Sequence, residues 1–284
     1  MRNIMFKQRS ETPHWVGDGF PVRTMFTYQQ KGEAFSPFLM MDYAGPAEFT
    51  PTKKPRGVGE HPHRGFETVT IVYSGGVVHR DSAGGGGKIG PGDVQWMTAA
   101  SGLVHDEMHS EEFSKSGGVF EMVQLWVNLP AKEKMISPRY QGITSSQIPK
   151  VETIAGTVRV IAGEFSGNKG PANTFTPIEL YDVRLKKNGT QNFKIEKTHN
   201  TLVFVLSGEV QLNGGEVLKS AEIAALDHSD DNFSLTARAD SKLLILAGAA
   251  INEPIVGHGP FVMNTTAEIH QAINDFNNGR MGKL

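Results

Sequence analysis

The chain has 284 residues, and its 28 Lys and Arg against 30 Asp and Glu leave a net charge of −2. This balance gives no electrostatic reason to expect direct binding to nucleic acid or to an anionic membrane. The absence of cysteine excludes disulfides, thiolate nucleophiles, Cys-ligated zinc and iron–sulfur clusters, so a bound metal must be held by His, Asp or Glu.

Short strand-like segments follow one another along the whole chain. Each is rich in apolar residues, and turn sequences such as Gly-Gly at 75–76 and Asn-Gly at 213–214 separate them. The predicted strands lie at residues 22–28, 67–73, 92–98, 122–127, 158–161, 178–185, 201–206 and 242–246. Many short strands, glycine-rich turns and few helical patterns predict an all-β fold of the sandwich or barrel type.

Two of these strands belong to a repeated segment. Residues 67–77 (ETVTIVYSGGV) and 200–210 (NTLVFVLSGEV) align without a gap, and each runs from an apolar strand through Ser-Gly into a second strand. A repeat at this separation indicates two similar β domains in tandem. We place the boundary near residue 135, so that residues 1–135 and 136–284 form an N-terminal and a C-terminal domain.

One helix is predicted at the C-terminus, in the second of these domains. Thr265 and Glu268 have the spacing of a capping box, in which the two residues satisfy free backbone N–H groups. Ile269, Ile273 and Phe276 recur at helical spacing, and a following glycine ends the pattern.

The sequence contains no sign of a membrane or secretory protein. The N-terminal residues include no apolar segment of signal-peptide length. The longest apolar run, residues 243–251, is far shorter than the ~20 helical residues that cross a bilayer. We therefore expect a cytoplasmic protein without a membrane partner.

The residues most suited to chemistry form two pairs with a spacing of two: His61 with His63, and His105 with Glu107. Side chains two apart in a strand lie on the same face, so each pair could present two ligands to one ion. On neighbouring strands the two pairs would supply three imidazoles and one carboxylate, a set suited to iron, manganese, nickel, copper or zinc. The spacing alone leaves open the alternative that both pairs are ordinary residues on a solvated edge.

Glu67 is a competing carboxylate. It lies four residues after His63, so strand alternation would keep both on one face unless Arg64 and Gly65 form a bulge. The pattern His-x-His-x-x-x-Glu also matches the first motif of the cupin superfamily, in which that Glu is often a ligand. From the residues alone, Glu67 is either a ligand or an acid beside the site.

Four segments, taken together, closely resemble the pirin family and occur in the same order. They are residues 61–68 (HPHRGFET), 90–98 (GPGDVQWMT), 102–107 (GLVHDE) and 124–130 (QLWVNLP). Residues 37–42 and 251–255 also resemble pirin positions. The resemblance therefore extends over most of the chain, and it is most specific in the first half.

The resemblance implies a bicupin: two tandem cupin-type antiparallel β-barrels, with one metal in the N-terminal barrel and a short C-terminal helix. It implies that His61, His63, His105 and Glu107 hold the metal, and that Glu67 does not, because pirins keep this Glu without using it on the metal. The expected cofactor is one divalent transition metal. Iron(II) is preferred, and manganese, nickel, copper and zinc remain open.

The second barrel is expected to be free of metal. The ungapped repeat places Lys194 and Glu196 opposite the His-x-His pair of the first barrel. His199 and His228 lack ligand partners at a same-face spacing, so we interpret both as structural or surface residues.

The resemblance also implies an enzymatic function. Pirins resemble quercetin 2,3-dioxygenases, which open the central ring of a flavonol with O₂ and release carbon monoxide. The partners would then be an aromatic small molecule and O₂, with Glu107 as both ligand and catalytic base. Phe66, Trp96 and Met97 are candidates to flank the flat ring, and plain core packing is the alternative for each.

A non-enzymatic function is the main alternative. Eukaryotic pirins act as nuclear cofactors of transcription factors, and bacterial relatives have been linked to metabolic enzymes. The chain would then be a metal-containing regulatory protein with a protein partner. A third hypothesis is an isomerase or another small-molecule cupin that uses the same metal site.

Overall fold

The computed structural model describes residues 1–284, and β-strands predominate over helices. The strands are β1 (Ile4–Arg9), β2 (His14–Val16), β3 (Phe20–Thr27), β4 (Phe38–Phe49), β5 (Gly57–His63), β6 (Phe66–Ser74), β7 (Val77–Asp81), β8 (Gly86–Ile89), β9 (Val94–Thr98), β10 (Leu103–His109), β11 (Gly118–Asn128), β12 (Arg139–Ile143), β13 (Lys150–Thr153), β14 (Gly156–Ala162), β15 (Glu164–Phe165), β16 (Asn168–Lys169), β17 (Ile178–Leu185), β18 (Thr190–Lys194), β19 (His199–Ser207), β20 (Glu209–Leu212), β21 (Val217–Lys219), β22 (Glu222–Leu226), β23 (Asn232–Ala237), β24 (Ser241–Ala249), β25 (Val256–His258) and β26 (Phe261–Met263). The helices are α1 (Tyr28–Phe35), α2 (Glu111–Ser116) and α3 (Thr266–Asn277), and 3-10 turns lie at Ala131–Glu133 and Ser145–Gln147. No helix has the length and apolar character needed to cross a membrane.

The chain divides into two units, each assembled from separate stretches of sequence. The first unit contains residues 1–11, 27–37 and 146–250, and the second contains residues 12–26, 38–145 and 251–284. This division differs from the expected break near residue 135. The reason lies in the chain ends: β1 pairs with β22 of the first unit, and α3 packs on β25 and β26 of the second.

The second unit is built from two antiparallel sheets. The larger has the strand order β12-β9-β6-β11-β4-β3-β2, and the smaller has the order β5-β10-β7-β8. Apolar side chains from both sheets pack into one core, in which Phe20, Val72 and Met122 of the larger sheet meet Val77 and Ile89 of the smaller. Successive side chains of a strand point to opposite faces of its sheet, so one face of each sheet supplies this core.

The first unit repeats this topology. Its larger sheet has the order β1-β22-β19-β24-β17-β14-β13, and its smaller sheet has the order β18-β23-β20-β21. The two repeated segments occupy equivalent positions. They contain β6 and β19, and each of these is the third strand, in the order given, of the larger sheet of its unit. Each is followed by a glycine with positive φ, Gly75 at +87° and Gly208 at +93°. The predicted all-β fold with two similar domains is confirmed.

The predicted elements also agree with the structure. Each of the eight predicted strands overlaps an observed strand, and α3 begins where the capping box predicts. The backbone N–H of Glu268 donates to Thr265 Oγ1 at 3.2 Å, and the Glu268 carboxylate accepts from the backbone N–H of Asn264 at 3.1 Å. Helices α1 and α2 were not predicted from the sequence, because they are short and lie between strands.

Candidate metal centre and cavity

The two predicted ligand pairs lie on adjacent strands of the second unit. In the pairing of β5 with β10, His61 stands directly opposite His105, and His63 stands opposite Leu103. The two facing rings bring their Nε2 atoms to 2.8 Å from each other. A shift of register between His105 and Glu107 then displaces the carboxylate along the strand.

Three of the four predicted ligands form one compact group. Ligand atoms of His61, His63 and His105 all lie within 4.8 Å of one another. The Nδ1–H of His61 donates to the carbonyl oxygen of Gly59 at 2.8 Å, and Nδ1 of His63 lies 3.4 Å from the carbonyl oxygen of Pro260. These contacts leave the Nε2 lone pairs of both rings for a metal.

Burial keeps two of these rings uncharged. It lowers the pKa of His63 to about 3, and it also lowers the pKa of His105 well below the usual histidine value. At neutral pH both rings are therefore neutral imidazoles, the form that binds metal ions.

Glu107 belongs to a second, overlapping group. Its carboxylate lies within 4.8 Å of ligand atoms of His79 and His105, so His105 is common to both groups. Gln95 Nε2 donates to Oε1, and Gln124 Nε2 donates to Oε2 at 3.5 Å. The Thr70 hydroxyl lies 3.4 Å from Oε1 and donates to Gln124 Oε1 at 2.5 Å. These donors hold the buried carboxylate in one orientation.

His79 is a functional candidate that the sequence analysis missed. Its Nε2–H donates to Asp81 Oδ2 at 3.0 Å, and Oδ1 of the same carboxylate accepts from the backbone N–H groups of Ala83 and Gly85. His79 Nδ1 is therefore the acceptor for the Nδ1–H of His105, 3.2 Å away. Asp81 and His79 thus set the tautomer of His105 that presents Nε2 to the metal position. The signal in the sequence was again a spacing of two, in His79-Arg80-Asp81.

The donor set fits a transition metal. With both Nδ1 atoms protonated, two Nε2 lone pairs face each other at 2.8 Å, and a metal ion or a shared proton between them removes the repulsion. The separation is close to the ~3 Å expected between neighbouring ligands when each metal–nitrogen bond is about 2.1 Å long. Neutral imidazoles together with a fixed carboxylate are the donors that iron and its neighbours prefer.

A cavity of about 520 Å³ opens beside these residues. It is lined by His14, Val16, Phe20, Val22, Thr24, Met40, Asp42, Val58, His61, His63, Glu107, Met122, Gln124, Trp126 and Pro260. Most of the wall is apolar, and three of the four predicted metal ligands lie in it. The arrangement suits a flat apolar molecule with one end at the metal centre.

The three residues expected to flank a substrate ring do not line this cavity. Phe66, Trp96 and Met97 are completely buried. Trp96 neighbours Gln95, which contacts Glu107, so strand alternation turns the indole to the other face of the sheet. Phe66 lies behind the wall, with its ring centroid 4.3 Å from that of Trp126. Trp126, by contrast, does line the cavity.

Glu67 is separate from both groups of candidate ligands. Strand β5 ends at His63, the chain turns at Gly65 with φ +90°, and β6 begins at Phe66, so simple alternation does not run through this segment. Thr98 Oγ1 donates to the Glu67 carboxyl at 2.7 Å, and burial raises its pKa to about 7.

The corresponding positions of the first unit have different residues. Lys194 stands opposite Asn232 in the pairing of β18 with β23, where the second unit has His61 opposite His105. His199 pairs with Glu179 through Nδ1 at 2.9 Å. His228 contacts the side-chain oxygen of Asn200 and the backbone carbonyl of Lys197.

Comparison with known proteins agrees with this architecture. The pirin family model matches residues 19–127, and the pirin C-terminal cupin domain matches residues 180–282. A Pseudomonas aeruginosa relative, provisionally named a quercetin 2,3-dioxygenase, is 52% identical over 282 residues, which is 99% of this chain and 98% of the relative. Human pirin is 39% identical over 251 residues, which is 87% of this chain and 83% of that protein.

A solved structure is similar over the whole chain. The crystal structure of quercetin 2,3-dioxygenase from Acinetobacter baumannii has 50% sequence identity and a TM-score of 0.97, and the match covers 100% of this chain and 99% of that one. Together with the family models, this similarity confirms the two predicted cupin domains. The chain belongs to the pirin family.

Proposed function

We propose that this protein is a metal-dependent dioxygenase that cleaves a flavonol, or a similar enol or phenol, with O₂. The observation that carries the proposal is the apolar cavity whose wall contains His61, His63 and Glu107. The names of the Pseudomonas and Acinetobacter relatives support the same reaction class. The overall reaction converts a flavonol and O₂ into a ring-opened ester and carbon monoxide.

We propose that His61, His63, His105 and Glu107 together hold one divalent metal, with iron(II) preferred and manganese, nickel, copper or zinc as alternatives. The bound metal would supply Lewis-acid stabilisation of a phenolate-like oxygen and access to O₂ chemistry. The imidazoles are neutral ligands, so the carboxylate is the only anionic group among the four. A six-coordinate ion held by these four residues would have two positions left for substrate and O₂.

The proposed role of Glu107 is to accept the proton of the substrate hydroxyl. Its carboxylate lines the cavity and is held by donors from Gln95 and Gln124. A base that is fixed before the substrate arrives needs no reorganisation during proton transfer. The apolar wall around Trp126 and Met40 keeps water away from the reacting ring.

Oxygen uptake with quercetin tests the proposal. Protein loaded anaerobically with iron(II) should consume O₂ when quercetin is added. The double variant His61→Ala with His63→Ala should lose both the metal, by elemental analysis, and the O₂ uptake. Unchanged metal content in the double variant would contradict the site. If the fully metal-loaded wild type showed no O₂ uptake with any of several flavonols, the result would favour the alternative of a non-enzymatic regulatory protein.

A further inference from the structure

A row of polar side chains crosses one face of the larger sheet of the second unit. Gln95 pairs with Thr70, Thr70 with Gln124, and Gln124 with Asp42, in the registers of β9, β6, β11 and β4. Thr24 on β3 continues the row, because its hydroxyl donates to Asp42 Oδ1 at 2.6 Å. We call these five residues the polar row.

The positions on either side of the row are mostly apolar. On one side Trp126 pairs with Met40, and on the other Met122 pairs with Ala44. Trp126, Met40 and Met122 also line the cavity. The polar row is therefore a narrow hydrogen-bonding strip in an apolar wall.

Three of the five residues of the polar row face the metal centre. Gln95 and Gln124 donate to the carboxylate of Glu107, and Thr70 donates to Gln124 Oε1 at 2.5 Å. Asp42 and Thr24 lie on the next two strands, and both line the cavity. Gln124, which donates to Glu107, stands opposite Asp42, so the Asp42 backbone lies one strand spacing, about 4.8 Å, beyond that of Gln124.

Asp42 is an unusual residue for an apolar cavity wall. Only 6% of its surface is exposed. A buried carboxyl group is costly unless donors satisfy its oxygens, and it has room for several donors. Thr24 donates to Oδ1, and Asp42 also lines the cavity, where the carboxyl has room for a further donor.

We propose that Asp42, oriented by Thr24, accepts a hydrogen bond from a second hydroxyl group of the substrate. The substrate class is then a planar phenol or enol with one hydroxyl at the metal centre and another at the far end of the polar row. This inference rests on the proposed function, since it assigns the substrate's orientation at the same site. Compounds with a single hydroxyl bind more weakly, because they leave Asp42 buried without its second donor.

Equilibrium binding of two flavonols tests this inference without turnover. 3-Hydroxyflavone carries one hydroxyl, whereas quercetin has the same skeleton with further hydroxyls on both outer rings. Each is titrated anaerobically into metal-loaded protein, and quenching of tryptophan fluorescence is followed. The wild type should bind quercetin about ten- to a hundredfold more tightly than 3-hydroxyflavone.

Asp42→Ala should bring this preference close to one, because quercetin loses its acceptor and 3-hydroxyflavone no longer leaves a buried carboxyl without a donor. Thr24→Val should reduce the preference in part, and it serves as the test if Asp42→Ala fails to fold. Met40→Ala is the matched control, on the same strand and in the same cavity. It should weaken both flavonols equally and leave the preference intact.

The outcomes separate this inference from the proposed function. An unchanged preference in Asp42→Ala, or an equal loss of both ligands, overturns the role of Asp42, and continued O₂ uptake by that variant leaves the dioxygenase proposal standing. If Asp42→Ala loses the preference for quercetin and the wild type shows no O₂ uptake, the hydroxyl site is supported and the dioxygenase proposal is contradicted. Failure of the wild type to bind either flavonol overturns both.

Discussion

At the scale of single residues, the spacing of the sequence predicts only part of the contacts in the candidate metal centre. The spacing of two predicted which side chains share a face, and His61, His63 and His105 do come together. The role of His79 required the pairing of β7 with β10, which no local pattern encodes. Phe66, Trp96 and Met97 do not line the cavity, because closeness to a motif in the sequence does not say which side chains reach the cavity wall.

Removing His79 or Asp81 should weaken metal binding. His79→Ala and Asp81→Ala each free His105 to adopt the other tautomer, so we expect about a 10–100-fold loss of metal affinity. Competition with a coloured chelator measures it. Arg80→Ala is the matched control, because this side chain lies between the two and pairs with Asp106 instead. If all three variants bound the metal with the affinity of the wild type, His79 and Asp81 would have no influence on the ligand His105.

Glu67 should make the stability depend on pH. Its pKa rises from 4.5 to about 7 on burial, so folding favours the protonated form. The stability that it contributes is present below pH 4.5 and is lost as the pH rises through 7.

Glu67→Gln should therefore be more stable than the wild type at pH 8, by up to about 3 kcal/mol, and the gain should shrink toward pH 4.5. Chemical denaturation at several pH values measures the difference. The exposed Glu11→Gln is the control. A gain that does not vary with pH would contradict the assigned pKa.

At the scale of elements, the sequence predicts which helices and strands form, but not always which part of the protein they pack against. The capping box and helical spacing predicted α3, yet its place in the second unit depends on contacts far apart in sequence. Arg64, next to the ligand His63, donates to Asp275 of α3 at 2.9 Å and to the carbonyl oxygen of Ser101 at 2.7 Å. Both charged partners are buried, so the helix is linked to the strand end beside the metal centre.

Asp275→Ala should therefore destabilise the second unit. It leaves the guanidinium of Arg64 buried without its charged partner, a change that typically costs about 3–5 kcal/mol. Urea denaturation followed by tryptophan fluorescence measures the loss. Asn277→Ala, an exposed change on the same helix, should cost far less. Similar costs for both variants would contradict the buried ion pair.

At the scale of the whole molecule, the two units share one strand topology but differ in the residues at the positions of the candidate metal centre. The repeated strand in the sequence predicted the two domains, because its apolar pattern is a local property. Its aligned positions also predicted which domain lacks the His-x-His pair, and the structure has Lys194 opposite Asn232 there. The sequence did not predict that residues 1–11 join the first unit and residues 251–284 the second. No local pattern indicates which unit a terminal segment packs against.

Changes in the first unit should leave the metal content untouched. His199 is engaged by Glu179, and His228 by Asn200, so neither is free to serve an ion. Elemental analysis of His199→Ala and His228→Ala should return the wild-type metal content. Metal loss from a variant that stays folded, as judged by circular dichroism, would mean that the first unit also holds metal.

Carbon monoxide release with quercetin tests the central claim most directly. Iron-loaded wild type should release carbon monoxide in amounts equal to the quercetin consumed. Glu107→Gln keeps the shape of the side chain and removes its basicity, so its rate at equal metal occupancy should fall by about 10²–10⁴. Equal rates would remove Glu107 as the base. Quercetin loss without carbon monoxide, or no loss from fully loaded protein, would contradict the dioxygenase itself.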